Sequence, residues 1–151
     1  MDCNLSGNIE KILASDGMYV SSTRGVSMLP MIKTGRDVVV IAPKNGRLKR
    51  FDVALYRRGD SYVLHRVIEV LDDRYLIRGD NTYVDEFISE SDVIGVMTEY
   101  YRGRKNVLVT DPDYLNYVEA RVRSYPQRKK QYEFNRKFRA AVKKLLGIKK
   151  D

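Results

Sequence analysis

From residue 18 onward, the apolar residues of this chain fall in short blocks rich in Val, Ile and Tyr, separated by turn-forming residues. The blocks 18–23, 37–42, 52–57, 62–70, 74–78, 93–102 and 106–110 are broken by signals such as Asn45-Gly46, Arg58-Gly59-Asp60 and Asp72-Asp73. Blocks of this length, bounded in this way, predict β-strands. No helix-length segment separates them, so the strands are expected to pair antiparallel through hairpins. The pattern therefore predicts a mainly β fold, a coiled antiparallel sheet or barrel-like core.

Helical periodicity appears only at the two ends. Ile9, Ile12 and Leu13 within 8–15, followed by Gly17, predict a short N-terminal amphipathic helix. After residue 110, Asp111 stands at a capping position with Pro112 at the first helical position, and Tyr114, Leu115, Val118 and Val122 keep a helical spacing until Tyr125-Pro126. A second helix is expected within 127–146, with Phe134, Phe138, Ala141, Val142 and Leu145 on one face and Lys and Arg on the other. Such a stripe ordinarily docks on its own domain, and docking is the expectation here. Residues 1–120 are thus read as a β domain with its N-terminal helix, and 121–151 as a basic helical tail.

Charge sharpens that division. The chain has 151 residues, 43% hydrophobic and 32% charged, and a net charge of +8. Residues 121–151 hold 12 Lys or Arg against Glu133 and Asp151, a net +10, which leaves −2 for residues 1–120. Segregated basicity suggests either a solvated helix or an acidic partner, whether nucleic acid, an anionic membrane surface or an acidic protein surface. One cysteine, Cys3, permits no internal disulfide, and Cys/His clusters for structural zinc are missing. With no run of about 20 apolar residues and no secretory leader pattern, the expectation is a soluble cytoplasmic protein, peripheral at the membrane at most.

The candidate chemistry lies in three segments of the β region. Ser27 sits in Gly25-Val26-Ser27-Met28-Leu29-Pro30, where a sharp turn can expose a hydroxyl together with backbone amides. The lone histidine, His65, lies in the strand pattern Tyr62-Val63-Leu64-His65-Arg66-Val67, with Val63 and Val67 on its own face. Arg78-Gly79-Asp80-Asn81 follows, and Asp85 and Glu86 come soon after. A serine hydroxyl needs a neighbouring base to attack a carbonyl near neutral pH, and an imidazole with a pKa of about 6.5 is the usual one. A carboxylate that orients the imidazole completes such a site, and Asp80, Asp85 and Glu86 are all candidates. The Ser27 amide is the natural oxyanion donor. Met28 and Pro30, in the same turn, are candidate substrate contacts.

Gly-x-Ser-Met-x-Pro, Thr34-Gly35-Arg36-Asp37-Val38-Val39, Leu64-His65-Arg66-Val67 and Ile77-Arg78-Gly79-Asp80-Asn81, in that order, resemble type I signal peptidases and related S24/S26 serine peptidases. The resemblance covers roughly residues 20–98 and is closest to the endoplasmic-reticulum-type branch, where histidine replaces the lysine base. It implies a coiled β catalytic core, Ser27 as nucleophile and His65 as general base. The branch's second acid, five or six residues beyond the Gly-Asp aspartate, points to Asp85 or Glu86 in addition to Asp80. No metal or organic cofactor is implied, and the implied partner is a peptide or protein substrate. Two departures stand out: the expected lack of an anchor and leader, and the extra Arg36 inside the Gly-Asp pair, which shifts Asp37 and favours a structural role for it.

The expected function is therefore signal-peptidase-like peptide cleavage by a Ser27 and His65 dyad. A β scaffold that binds peptides or partners without turnover is the alternative. Self-cleaving repressors of the same clan carry a DNA-binding domain before their peptidase core. About 20 residues precede the core here, too few for that domain, so nucleic acid is not the expected partner. Small side chains flanking the scissile bond are what the resemblance implies for the substrate.

Overall fold

The computed structural model describes the backbone of residues 2–3 and all of residues 9–147. Asn8 at the expected helix start, the Cys3 side chain and residues 148–151 of the tail lie outside the described residues. The chain divides into two compact units, Met1–Val118 and Glu119–Asp151.

The first unit is mainly β. Its strands are β1 (Asp2–Cys3), β2 (Tyr19–Arg24), β3 (Asp37–Pro43), β4 (Val53–Arg58), β5 (Ser61–Val70), β6 (Arg74–Arg78), β7 (Glu86–Ser89), β8 (Val93–Arg102) and β9 (Lys105–Leu108). Every pairing is antiparallel, along the order β1-β2-β3-β8-β4-β5-β6-β7, with β9 on β8. β1 also meets β5 through one pair, Asp2↔Val63, so the sheet curls back on itself without a continuous closing ladder. Register shifts at Val40/Ile41, Leu55/Tyr56 and Val67/Glu69 add the local twist that coiling requires.

Burial follows from the pleat. In β8, Val93, Gly95 and Met97 point inward in strict alternation. Gly95 is needed where it stands, since a Cβ there would come within 2.6 Å of Ile41 and 2.8 Å of the Ala42 carbonyl. The core beneath the hairpins is built from Leu48, Ala54, Tyr56, Val63, Val67, Tyr75, Ile77, Ile88 and Val93. The short helix α1 (Ile9–Asp16) buries Ile9 and Leu13 and ends at Gly17, which takes a positive φ of 69° and donates its amide to the Leu13 carbonyl.

Two more helices follow the sheet, α2 (Pro112–Arg123) and α3 (Tyr125–Leu145). The Asp111 carboxylate accepts from the Leu108 amide, steadying the turn before α2. Only Ser124 separates the two helices, and it keeps helical angles (φ −77°, ψ −4°). Pro126 thus falls in the first turn of α3, where its missing N–H costs no intrahelical bond. No residue of α3 is buried, and Phe134, Phe138, Val142 and Leu145 are all exposed. No described helix is long and apolar enough to cross a membrane.

Candidate active site

Ser27 stands just beyond β2, in a turn built from beneath. Gly25 takes a φ of 96°, a conformation that side chains disfavour, and its carbonyl accepts from the Thr34 hydroxyl at 2.9 Å. Met28, Met31 and Ile32 then bury their side chains and hold the turn against the core. Met28, expected to meet substrate, is fully buried beneath the turn. Pro30 is exposed and lines a cavity of about 310 Å³ with Met31, Tyr100, Arg102, Tyr114 and Tyr117.

The Gly79-Asp80-Asn81 loop closes over the same turn. The Asn81 amide donates to the Ser27 carbonyl at 2.7 Å and the Asn81 side-chain amide to the Val26 carbonyl at 3.2 Å. Gly79 fills the space between serine and histidine. A Cβ built on it would lie 3.0 Å from His65 Nε2, 3.0 Å from Ser27 Cβ and 2.7 Å from the Ser27 carbonyl oxygen. Two atoms that each lie 3.0 Å from one point are at most twice that apart, so Ser27 Cβ and His65 Nε2 are within about 6 Å. The serine hydroxyl is one bond out from that Cβ.

His65 comes from the middle of β5 and is buried. Its cross-strand partner is Ala54, small enough to leave room, and Tyr56, two residues further along β4, lies on the same face. The Tyr56 hydroxyl is 3.2 Å from His65 Nδ1 and donates to Glu86 Oε2 at 3.2 Å. Glu86 Oε1 is itself 3.5 Å from His65 Nδ1, and Arg58 donates to both the Tyr56 oxygen (2.8 Å) and Glu86.

The imidazole tautomer is tied to the direction of the Tyr56 proton. With that proton donated to Glu86, the Tyr56 oxygen is left to accept and Nδ1 is the nitrogen that carries the hydrogen. His65 Nε2 is the ring nitrogen on the side of Gly79. Burial, helped by the Arg58 charge, lowers the His65 pKa from 6.5 to about 3, so the ring is neutral over the physiological range. Burial and the Glu86 charge raise the Tyr56 pKa well above the ordinary phenol range, which keeps its proton in place.

The three candidate carboxylates have separate engagements. Asp80 is buried and accepts two bonds from Arg66, both 2.7 Å, and one from Tyr117 at 3.0 Å. Arg66 is fully buried and also donates to the Phe51 carbonyl and the Tyr114 hydroxyl. Burial opposes the Arg66 charge, but the Asp80 carboxylate overrides it and raises the Arg66 pKa. Asp80 thus anchors the loop to β5 through the residue next to His65, across the pleat. Asp85 takes the Arg78 guanidinium at 2.5 Å. Glu86, the first residue of β7, is the carboxylate that reaches the imidazole. Asp37 is buried, accepting from the Lys33 amide and from Arg36.

Tyr56 and Arg58 were missed by the motif reading, as was the spacer role of Gly79. The hairpin carried a signal for the first two. Its two-residue loop Gly59-Asp60 sets Arg58 opposite Ser61, which fixes Ala54 opposite His65 and puts Tyr56 and Arg58 on the histidine's face. Among the described residues, no group of three His, Cys, Asp or Glu side chains is arranged to hold a metal ion. No family model matches the chain, and no curated protein matches its sequence.

Proposed function

We propose that this protein is a serine peptidase that cleaves peptide bonds in the manner of the signal-peptidase-like enzymes, through Ser27 and His65. The observation that carries this reading is the convergence of Ser27 Cβ and His65 Nε2 on Gly79, which has no side chain of its own to fill the place where they meet. With Tyr56 donating to Glu86 and Nδ1 protonated, Nε2 carries the lone pair that a general base for Ser27 needs.

In this mechanism the Ser27 oxygen attacks the scissile carbonyl while His65 Nε2 takes its proton. The tetrahedral oxyanion is met by the Ser27 amide. As the imidazole becomes cationic, Glu86 and the Tyr56 oxygen on the Nδ1 side stabilise the new charge. His65 then gives the proton to the leaving amine, so the C–N bond breaks and an acyl-enzyme remains on Ser27. Water, deprotonated by His65, releases the acyl group by the same path in reverse. Asp80 acts as a positioning residue, holding the Gly79 loop against β5 through Arg66. Small side chains next to the scissile bond are the proposed preference.

Peptide-library cleavage followed by mass spectrometry tests the reading. Cleavage by the native chain that disappears in Ser27→Ala and in His65→Ala is the expected outcome. If either variant, still folded by circular dichroism, cleaves as the native chain does, the dyad is wrong.

A further inference from the structure

We propose that α3 is a docking surface for an anionic lipid bilayer. The helix has 21 residues, with eight Lys or Arg against the single Glu133, and not one buried side chain. Phe134, Phe138, Val142 and Leu145 are 65%, 62%, 38% and 88% exposed. Four large apolar side chains left in water along one line are a cost that a partner relieves.

The arrangement of charge identifies the partner. At about 100° per residue, Phe134, Phe138, Ala141, Val142 and Leu145 share an arc of about 100°. Lys130 and Lys137 border that arc on one side and Arg139 on the other, with further cations on the opposite face. A helix lying in the plane of a bilayer needs this order: apolar side chains sink below the headgroups while flanking Lys and Arg reach up to anionic phosphates and carboxylates. A second copy of α3 fits poorly, since pairing two such arcs presses like-charged borders together. Nucleic acid uses the cations but gives the phenylalanines nothing to enter.

The chain contains no tryptophan, so Phe138→Trp installs a single reporter. Full-length protein is mixed with vesicles of phosphatidylcholine alone and with vesicles containing about one-third phosphatidylserine, at low and high salt. Expected are a blue-shifted Trp spectrum and at least about tenfold more sedimentation with the anionic vesicles, reduced by salt. Phe134→Ser/Phe138→Ser, both exposed and so harmless to the fold, should abolish sedimentation, and Ser27→Ala should leave it intact.

Three outcomes overturn the proposal. One is absence of binding to either vesicle, and another is undiminished binding by the double serine variant, which reduces the effect to charge alone. The third is light scattering that shows a dimer abolished by the same two serines while vesicles remain unbound.

Discussion

Gly79 is the residue on which the geometry of the site turns. Its conformation is one any residue could adopt, and what it supplies is the absence of a side chain where serine and histidine converge. Gly79→Ala is expected to displace the Ser27 turn, because the new methyl would lie 2.7 Å from a backbone oxygen. A shift approaching 1 Å at a nucleophile lowers turnover by about 100-fold. Steady-state peptide cleavage checks this, and activity within a few-fold of native would show that serine and histidine need no such clearance. In the sequence, this glycine looked like ordinary turn chemistry. Its role depends on segments 27, 65 and 79 meeting in space, which local pattern does not reveal.

His65 carries a second residue-scale consequence, in pH. Its folded pKa of about 3 lies below the unfolded 6.5, so the unfolded chain binds the extra proton first as pH falls. The stability this group contributes is complete above pH 6.5 and is lost progressively between 6.5 and 3, at up to about 1.4 kcal/mol per pH unit. Urea unfolding at several pH values in that window should show a steeper decline for native protein than for His65→Ala. Catalysis follows the same shift. An unperturbed imidazole loses more than about tenfold in its neutral fraction between pH 7 and 5, whereas kcat/KM here should change less than about twofold. A bell limb near 6.5 would mean that the free enzyme's base is not this buried ring.

Among the elements, the β4–β5 hairpin and the loop after β6 do most to assemble the site. The hairpin places Tyr56 and Arg58 beside His65, and Tyr56→Phe removes the hydroxyl that bridges His65 Nδ1 and Glu86. A loss of about 10- to 100-fold in kcat with little change in KM is expected, since the ring and its packing remain. The loop is held by the buried Arg66–Asp80 pair. Asp80→Ala leaves a guanidinium uncompensated in the core and should lower stability by about 3–5 kcal/mol, read by chemical denaturation.

Strands β2 to β6, β8 and β9 were legible, β2 to β6 and β8 because each pairs a buried face with bounding turns. β7 was not, because it has four residues and only Ile88 is buried. That short strand delivers Glu86. Sequence reasoning could therefore narrow the acid only to three carboxylates, and the competition of Arg66 for Asp80 and Arg78 for Asp85 became visible only with the sheet assembled.

At the level of the whole molecule, charge and burial divide the chain in the same region. The contact boundary falls at Val118/Glu119, two residues before the change in charge that marks the tail in the sequence. The helical period of the tail was plain in the sequence, but what meets its apolar stripe was not: periodicity reports that a face is apolar, never what covers it.

The smallest strand has a practical bearing on how this protein is handled. β1 is two residues long, yet Asp2 pairs with Arg24 at the entrance to the Ser27 turn and with Val63, two positions from His65. Labels or substitutions at Asp2 are thus tethered to both segments that carry the proposed chemistry, and assays of weak cleavage are best made with that residue unaltered.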